Sequence, residues 1–217
     1  MPTGSGRAIF SSIASCIIVT LETKERQWIT QTRRILSYGT DMWKLDRLND
    51  LSRRICATQP SFEVIDREYE KILKGPTYSP AVQCAVYAMT AGAFAVFFGG
   101  NLWDGFASLF VGALIRVTLY AFAAIHMKAI FSNILCSLIS GIACILVCYI
   151  GLGRHVEMIM IGNIMLLIPG VLMTNSFRDF ISGDMISGLL HFSEAMITAV
   201  CVAVGFIMSK MLLGGML

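Results

Sequence analysis

Asp184, Ser187, His191, Glu194 and Thr198 follow one another at offsets of three, seven, ten and fourteen residues. That spacing lays them along one continuous face of a helix. The helix runs through a stretch, about 186–210, that is otherwise almost bare of charge. An acid and a histidine turned toward lipid would cost several kcal/mol, so the stripe is expected to face protein or a watery cavity. Residues of these types could exchange protons or recognise a small polar solute. A hydrogen-bonded seam between helices is the structural alternative. If the helix starts near Ser187, Glu194 is expected roughly 10 Å inside it at about 1.5 Å per residue.

A second group precedes it. Asn163, Pro169, Gly170, Thr174, Asn175, Arg178 and Asp179 punctuate an apolar run over about 158–177. Proline has no N–H and its ring clashes with the carbonyl four residues back, so this run is expected to break. Freed carbonyls at membrane depth persist only where protein or water satisfies them, and broken helices are how secondary transporters build substrate and ion sites. Residues Pro169 to Asp184 are therefore expected to hold a break and a turn, with Arg178 near an acid. Arg116, an isolated charge in an apolar run, is a supporting candidate. Asn133, Ser137, Ser140, Cys144 and Cys148 share another face, where small residues point to close helix packing.

The elements that must carry these residues follow from composition. Of 217 residues, 56% are hydrophobic and only 14% charged, with a mean hydropathy of +0.70; soluble domains carry about 25% charged residues. Residues 1–79 hold 12 Lys/Arg and 9 Asp/Glu, whereas 80–217 hold 5 of each. The fold class expected is a membrane α-helical one: five transmembrane helices (80–217) preceded by a small α+β cytoplasmic segment (1–79). A span needs about 20 apolar residues, and the runs near 80–98, 105–124, 129–153, 158–177 and 186–210 supply five. Placing the basic N-terminal part inside also puts Lys128 and Arg178 in the cytoplasm, as the positive-inside rule prefers.

In the first part, Cys16–Glu22 and Gln27–Arg33 read as a hairpin broken at 23–26. After Gly39, a helix over about 41–57 carries Leu45, Leu48, Leu51 and Ile55 on one face. Ser61 then caps a helix with Phe62, Ile65, Tyr69 and Ile72 on its apolar face, ended by Gly75-Pro76. So few elements bury little core, so this part is expected to pack on a partner or the membrane part, or to lack a piece at its start. The first seven residues do not lead into a signal peptide.

Several functions are set aside. A net charge of +3 gives no basic patch for nucleic acid. The seven cysteines have no CxxC spacing, so neither a disulfide framework nor a metal site is expected. No phosphate-binding loop, zinc-protease helix or nucleophile elbow occurs. No enzyme activity and no cofactor are expected.

Ile168-Pro-Gly-Val-Leu-Met-Thr-Asn-Ser-Phe-Arg-Asp179, then Ser182-Gly-Asp184, Ser187-Gly188 and Glu194-Ala195, resembles the signature of the threonine/serine exporter family. Phe98-Gly-Gly100 followed by Asp104 is similar to the family's turn, and Ile29-Thr-Gln-Thr-Arg33, Asp46-Arg-Leu-Asn49 and Leu51-Ser-Arg-Arg54 to its cytoplasmic segment. Asp104 is a supporting candidate by this resemblance only. The resemblance covers about residues 15–210. It departs in lacking a further cytoplasmic helix before the hairpin, and in placing His191 where many members have Arg.

The resemblance implies a multi-pass protein of the bacterial inner membrane that exports small polar metabolites, threonine and serine or a dicarboxylate such as succinate. Such exporters are often split, so the expected partner is a second, smaller multi-span membrane subunit; a homo-oligomer is also compatible. The contrasting expectation is a non-transporting assembly or sensory subunit.

Overall fold

The computed structural model describes residues 8–13, 16–22, 27–34, 41–75, 78–213 and 215. The expected break at 23–26, and Gly39 and Pro76, lie outside these residues. The chain divides into two compact units, residues 1–78 and 79–217.

In the first unit, β1 (Ala8–Ile13), β2 (Cys16–Glu22) and β3 (Trp28–Arg34) form an antiparallel meander in the order β1-β2-β3. The expected hairpin is thus the second and third strands of a three-stranded sheet. β1 escaped notice because its Ser-Ser pair dilutes the apolar alternation that marks a strand. Register pairs Leu21 with Ile29 and Thr20 with Thr30, whose hydroxyls lie 3.1 Å apart. The alternation of side chains across the sheet puts Ile17, Val19, Leu21 and Ile29 on one face, where they line a hollow of about 500 Å³.

Helix α1 (Met42–Thr58) starts at Asp41, whose carboxylate accepts from Lys44 N at 3.1 Å. It ends at Gln59, which is left-handed with φ 43°. Helix α2 (Phe62–Leu73) packs on it, and the pair buries Leu51 and Ile72. Phe62, expected on the buried face of α2, is exposed: at the first position of the helix it only lines the rim of an open hollow with Leu48, Leu51 and Ile55 of α1. Arg54 bridges the helices to Glu68 at 3.6 Å.

The second unit is helical throughout: α3 (Pro80–Phe97), α4 (Leu102–Ala124), α5 (Ala129–Tyr149), α6 (Val156–Ile164), α7 (Gly170–Ile181) and α8 (Met185–Leu213). Four of these, α3, α4, α5 and α8, are long and apolar enough to cross a membrane. The run expected as one span at 158–177 is instead two short helices joined by turns at 165–168 and Pro169. The expected break is there, but it ends at Pro169. Residues 170–181 regain a full helix, because nothing after Gly170 forbids one until the turn at Ser182–Gly183. Gly183 takes φ +86°, a conformation L side chains rarely adopt.

Small residues set how closely the helices approach. The backbone oxygen of Ile134 in α5 lies where a Cβ on Gly205 would meet it at 2.6 Å. Ser137, Ser140 and Cys144 of α5 are fully buried, in keeping with a packing face. Gly205 of α8 lies against Ile134 and Ser137, and Phe206 and Ser209 against Gly141, so α5 and α8 run parallel. The core joins Ala107, Val111, Cys144, Ile145, Ile159, Met160, Val202 and Phe206, drawing α4, α5, α6 and α8 together.

Candidate functional site

Asp104 anchors one end of the bundle. Asn101 and Asp104 form a reciprocal capping box at the start of α4, each side chain accepting from the other's backbone N–H at 2.9 Å. The same carboxylate accepts from the backbone of Arg154 at 2.6 Å and of His155 at 3.0 Å, and meets the His155 ring Nδ1 at 2.8 Å. A fully buried acid thereby ties the start of α4 to the start of α6. Hydrogen bonds to a charged group contribute about 1.5–3 kcal/mol each. The role is structural: every oxygen of Asp104 is already engaged.

Arg116, the second supporting candidate, is held from α3. Its guanidinium donates to Gln83 Oε1, through Nε at 2.9 Å and also through Nη2, and lies over the rings of Tyr87 and Tyr120 at 5.8 and 5.9 Å.

Asn163 sits on the last turn of α6, with no exposed surface. Its Nδ2 donates to Ile159 O at 2.8 Å and reaches Ser108 Oγ of α4 at 3.4 Å, while Oδ1 has no partner. With Nδ2 at 2.8 Å from the Ile159 carbonyl, the reverse assignment would set two oxygens against each other, which fixes the end of the amide that is oxygen. A buried acceptor left unpaired costs about 1–3 kcal/mol. Next to it, Gly162 packs directly on α3: a Cβ there would meet Ala95 N at 2.7 Å and Ala91 O at 2.8 Å.

Beyond α6 the backbone turns. Leu166 N donates to Asn163 O, and Leu167 N and Ile168 N to Ile164 O, at the end of α6, but no backbone donor reaches the carbonyls of Met165, Leu166 or Leu167 among the described residues. Pro169 has no N–H to offer Met165, and Gly170 N goes to Ile168 O at 2.8 Å. Thr174 returns its hydroxyl to Gly170 O at 2.9 Å. Asn175 is half-buried on α7.

Helix α7 packs chiefly on α8, and the polar groups explain the register. Ser176 Oγ donates to Gly188 O at 2.9 Å. Asp179 Oδ2 meets His191 Nδ1 at 2.9 Å, and Arg178 reaches Asp179 Oδ1 at 3.6 Å. Asp184 begins α8 and accepts from Ser187 N at 3.3 Å. Glu194 instead turns outward into a cleft of about 350 Å³ between α5 and α8, lined by Ala129, Asn133, Ser193 and Thr198 among others. Because Ala129 opens α5, Glu194 is level with the first turn of α5 rather than midway along it. α8 runs on below that level to Met185, close to the start near Ser187 that the sequence suggested.

The structure therefore brings Arg178, Asp179 and His191 together on α7–α8, and groups Glu194 with Thr198 beside α5. Asn163 belongs to a different contact, with α4. Ser108 and Ser176, fully buried, were not singled out by sequence; serines at helical spacing carry no signal until a neighbour is known. Among the described residues no group of three His, Cys, Asp or Glu could hold a metal.

No curated protein and no solved structure matches this chain. A family model for threonine/serine exporters matches residues 4–213, nearly its whole length. With a bundle whose four long helices are apolar enough to cross a membrane, this chain is a membrane protein belonging to the threonine/serine exporter family.

Proposed function

We propose that the chain is one half of a secondary exporter of small polar metabolites in a bacterial inner membrane, completed by a second, smaller membrane subunit. The observation that carries this is the division of one apolar run into α6 and α7 at Pro169, inside a family of exporters. Irregular backbone at membrane depth lines a cavity or is covered by protein, and discontinuous helices are suited to binding solutes and ions. In this reading α6 and α7 together make one broken crossing, giving five in all. The basic first unit faces the cytoplasm, as do the α4–α5 and α7–α8 turns. The cargo is threonine or serine, or a dicarboxylate such as succinate.

Glu194 is the coupling acid in this reading. It lies beside Thr198 and Asn133 in an open cleft, where protons and solute reach it. His191 is committed through Nδ1 to Asp179, so it orients α7 on α8. The test is export by cells and proteoliposomes carrying this chain with the neighbouring small membrane protein. Glu194→Gln should leave the pair assembled and reduce gradient-driven efflux at least tenfold. Wild-type efflux from the variant removes Glu194 from the mechanism. Absence of efflux from the wild-type pair rejects the exporter reading itself.

A further inference from the structure

We propose that the C-terminal end of α6 is a subsite for a positively charged group, with Asn163 Oδ1 and Ser108 Oγ as its side-chain ligands. The proposal rests on the exporter reading and deepens it by naming the chemistry recognised at the break. Asn163 Oδ1 is the only buried side-chain N or O atom without a partner among the described residues. The orphan is an oxygen, so what it lacks is a donor or a cation.

The surroundings repeat the same deficit. The carbonyls of Met165, Leu166 and Leu167 receive no backbone donor, and Pro169 removes the N–H that would have served Met165. The end of a helix also carries the negative pole of its dipole. Oxygens thus accumulate where α6 stops, and no Lys or Arg lies between Arg154 and Arg178 to neutralise them. An apolar replacement for Asn163 would remove the unpaired oxygen but also the Nδ2 that reaches the buried Ser108 Oγ, so the amide serves Ser108 while its own oxygen stays open.

In the present conformation Asn163 is closed off, with Gly162 seated on the backbone of Ala91 and Ala95. α6 is only nine residues long and is followed by turns rather than helix. A tilt of α6 about 165–169 would uncover the amide, at the cost of the contacts Ile159 and Met160 make with the core of α4, α5 and α8. The positive group can come from two sources, the α-ammonium of an amino-acid cargo or a sodium ion moving with it.

The experiment is thermal unfolding of the full chain in detergent, with and without its companion subunit, against L-threonine, 1-amino-2-propanol, 3-hydroxybutyrate and sodium chloride, with choline chloride as the ionic control. An upward shift of the midpoint with threonine and the amino alcohol, but not with the hydroxy acid, assigns the ammonium. A shift with sodium over choline assigns the ion. In either case Asn163→Leu should fold and lose the shift. Asn163→Asp should enlarge it. An equal response from Asn163→Leu, or no response of wild type to any probe, overturns the subsite. The exporter reading would still stand if the wild-type pair moves solute, so the two failures remain distinct.

Discussion

Replacing Asp104 tests how far one buried acid holds the bundle together. Its carboxylate accepts four hydrogen bonds, from the backbones of Asn101, Arg154 and His155 and from the His155 ring. At about 1.5–3 kcal/mol each a simple sum of about 6–12 kcal/mol would equal the whole stability of many domains. Arg154 and His155 lie in an exposed loop, so water can recover part of the loss. Breaking a buried charged pair from one side costs about 3–5 kcal/mol, and that is the expectation for Asp104→Ala. Asp104→Asn keeps the oxygen facing Arg154 N and His155 N but turns an NH2 toward two donors, so about 1–3 kcal/mol is expected. His155→Ala removes one bond from a ring that is 57% exposed, for about 1 kcal/mol. Unfolding in mixed detergent and SDS micelles, followed by tryptophan fluorescence, measures the three. Asp104→Ala within about 1 kcal/mol of wild type, well under the loss of even one such bond, would refute the view that this carboxylate ties α4 to α6.

Gly162→Ala should destabilise by about 1–3 kcal/mol, since its Cβ would meet the backbone of α3 rather than a movable side chain; the same unfolding assay reads it. A double-mutant cycle on Asp179→Asn and His191→Gln should give a coupling of about 1 kcal/mol, because the two side chains meet across α7 and α8 at 2.9 Å; strict additivity would mean the contact is not made. In the first unit, Lys71, and more weakly Arg54, hold the Glu68 carboxyl below the ordinary glutamate value. A lowered folded value means the contribution is fully present above the unfolded pKa and is lost as pH falls through the folded one. Helicity of α1–α2 should therefore decline on acidification below the glutamate range, and Glu68→Gln should flatten that decline.

Much was legible in the chain before its folding. Charge depletion after residue 79 and the length of the apolar runs determine that the second unit is a helical membrane bundle, because a continuous apolar run of about 20 residues satisfies its backbone in lipid as a helix, whereas barrel strands are shorter and alternate. Pro169 determines a break, since a missing N–H and a ring clash act within one turn whatever surrounds them. The start of α2 at Ser61 was local too, although its side chain makes no capping bond; the side-chain caps at Asp41, Ser79 and Asn101 came only with the structure. The polar stripe of α8 was readable as a face, because helical spacing is an intrinsic period.

What each residue of that face meets was decided only in three dimensions. His191 finds Asp179 because α7 folds back over α8, whereas Glu194, less than one turn later, opens to the cleft beside α5. The depth of Glu194 depends on how far α8 slides along α5, which Gly205 and Gly141 set through close approach. The unsatisfied oxygen of Asn163 was beyond any sequence argument. An amide can always find a partner in principle, and only the packed neighbours of α4 and α6 show that this one has not. Local sterics and solvent preference act through nearest neighbours and are written in sequence, whereas pairing between distant residues depends on packing of the whole bundle.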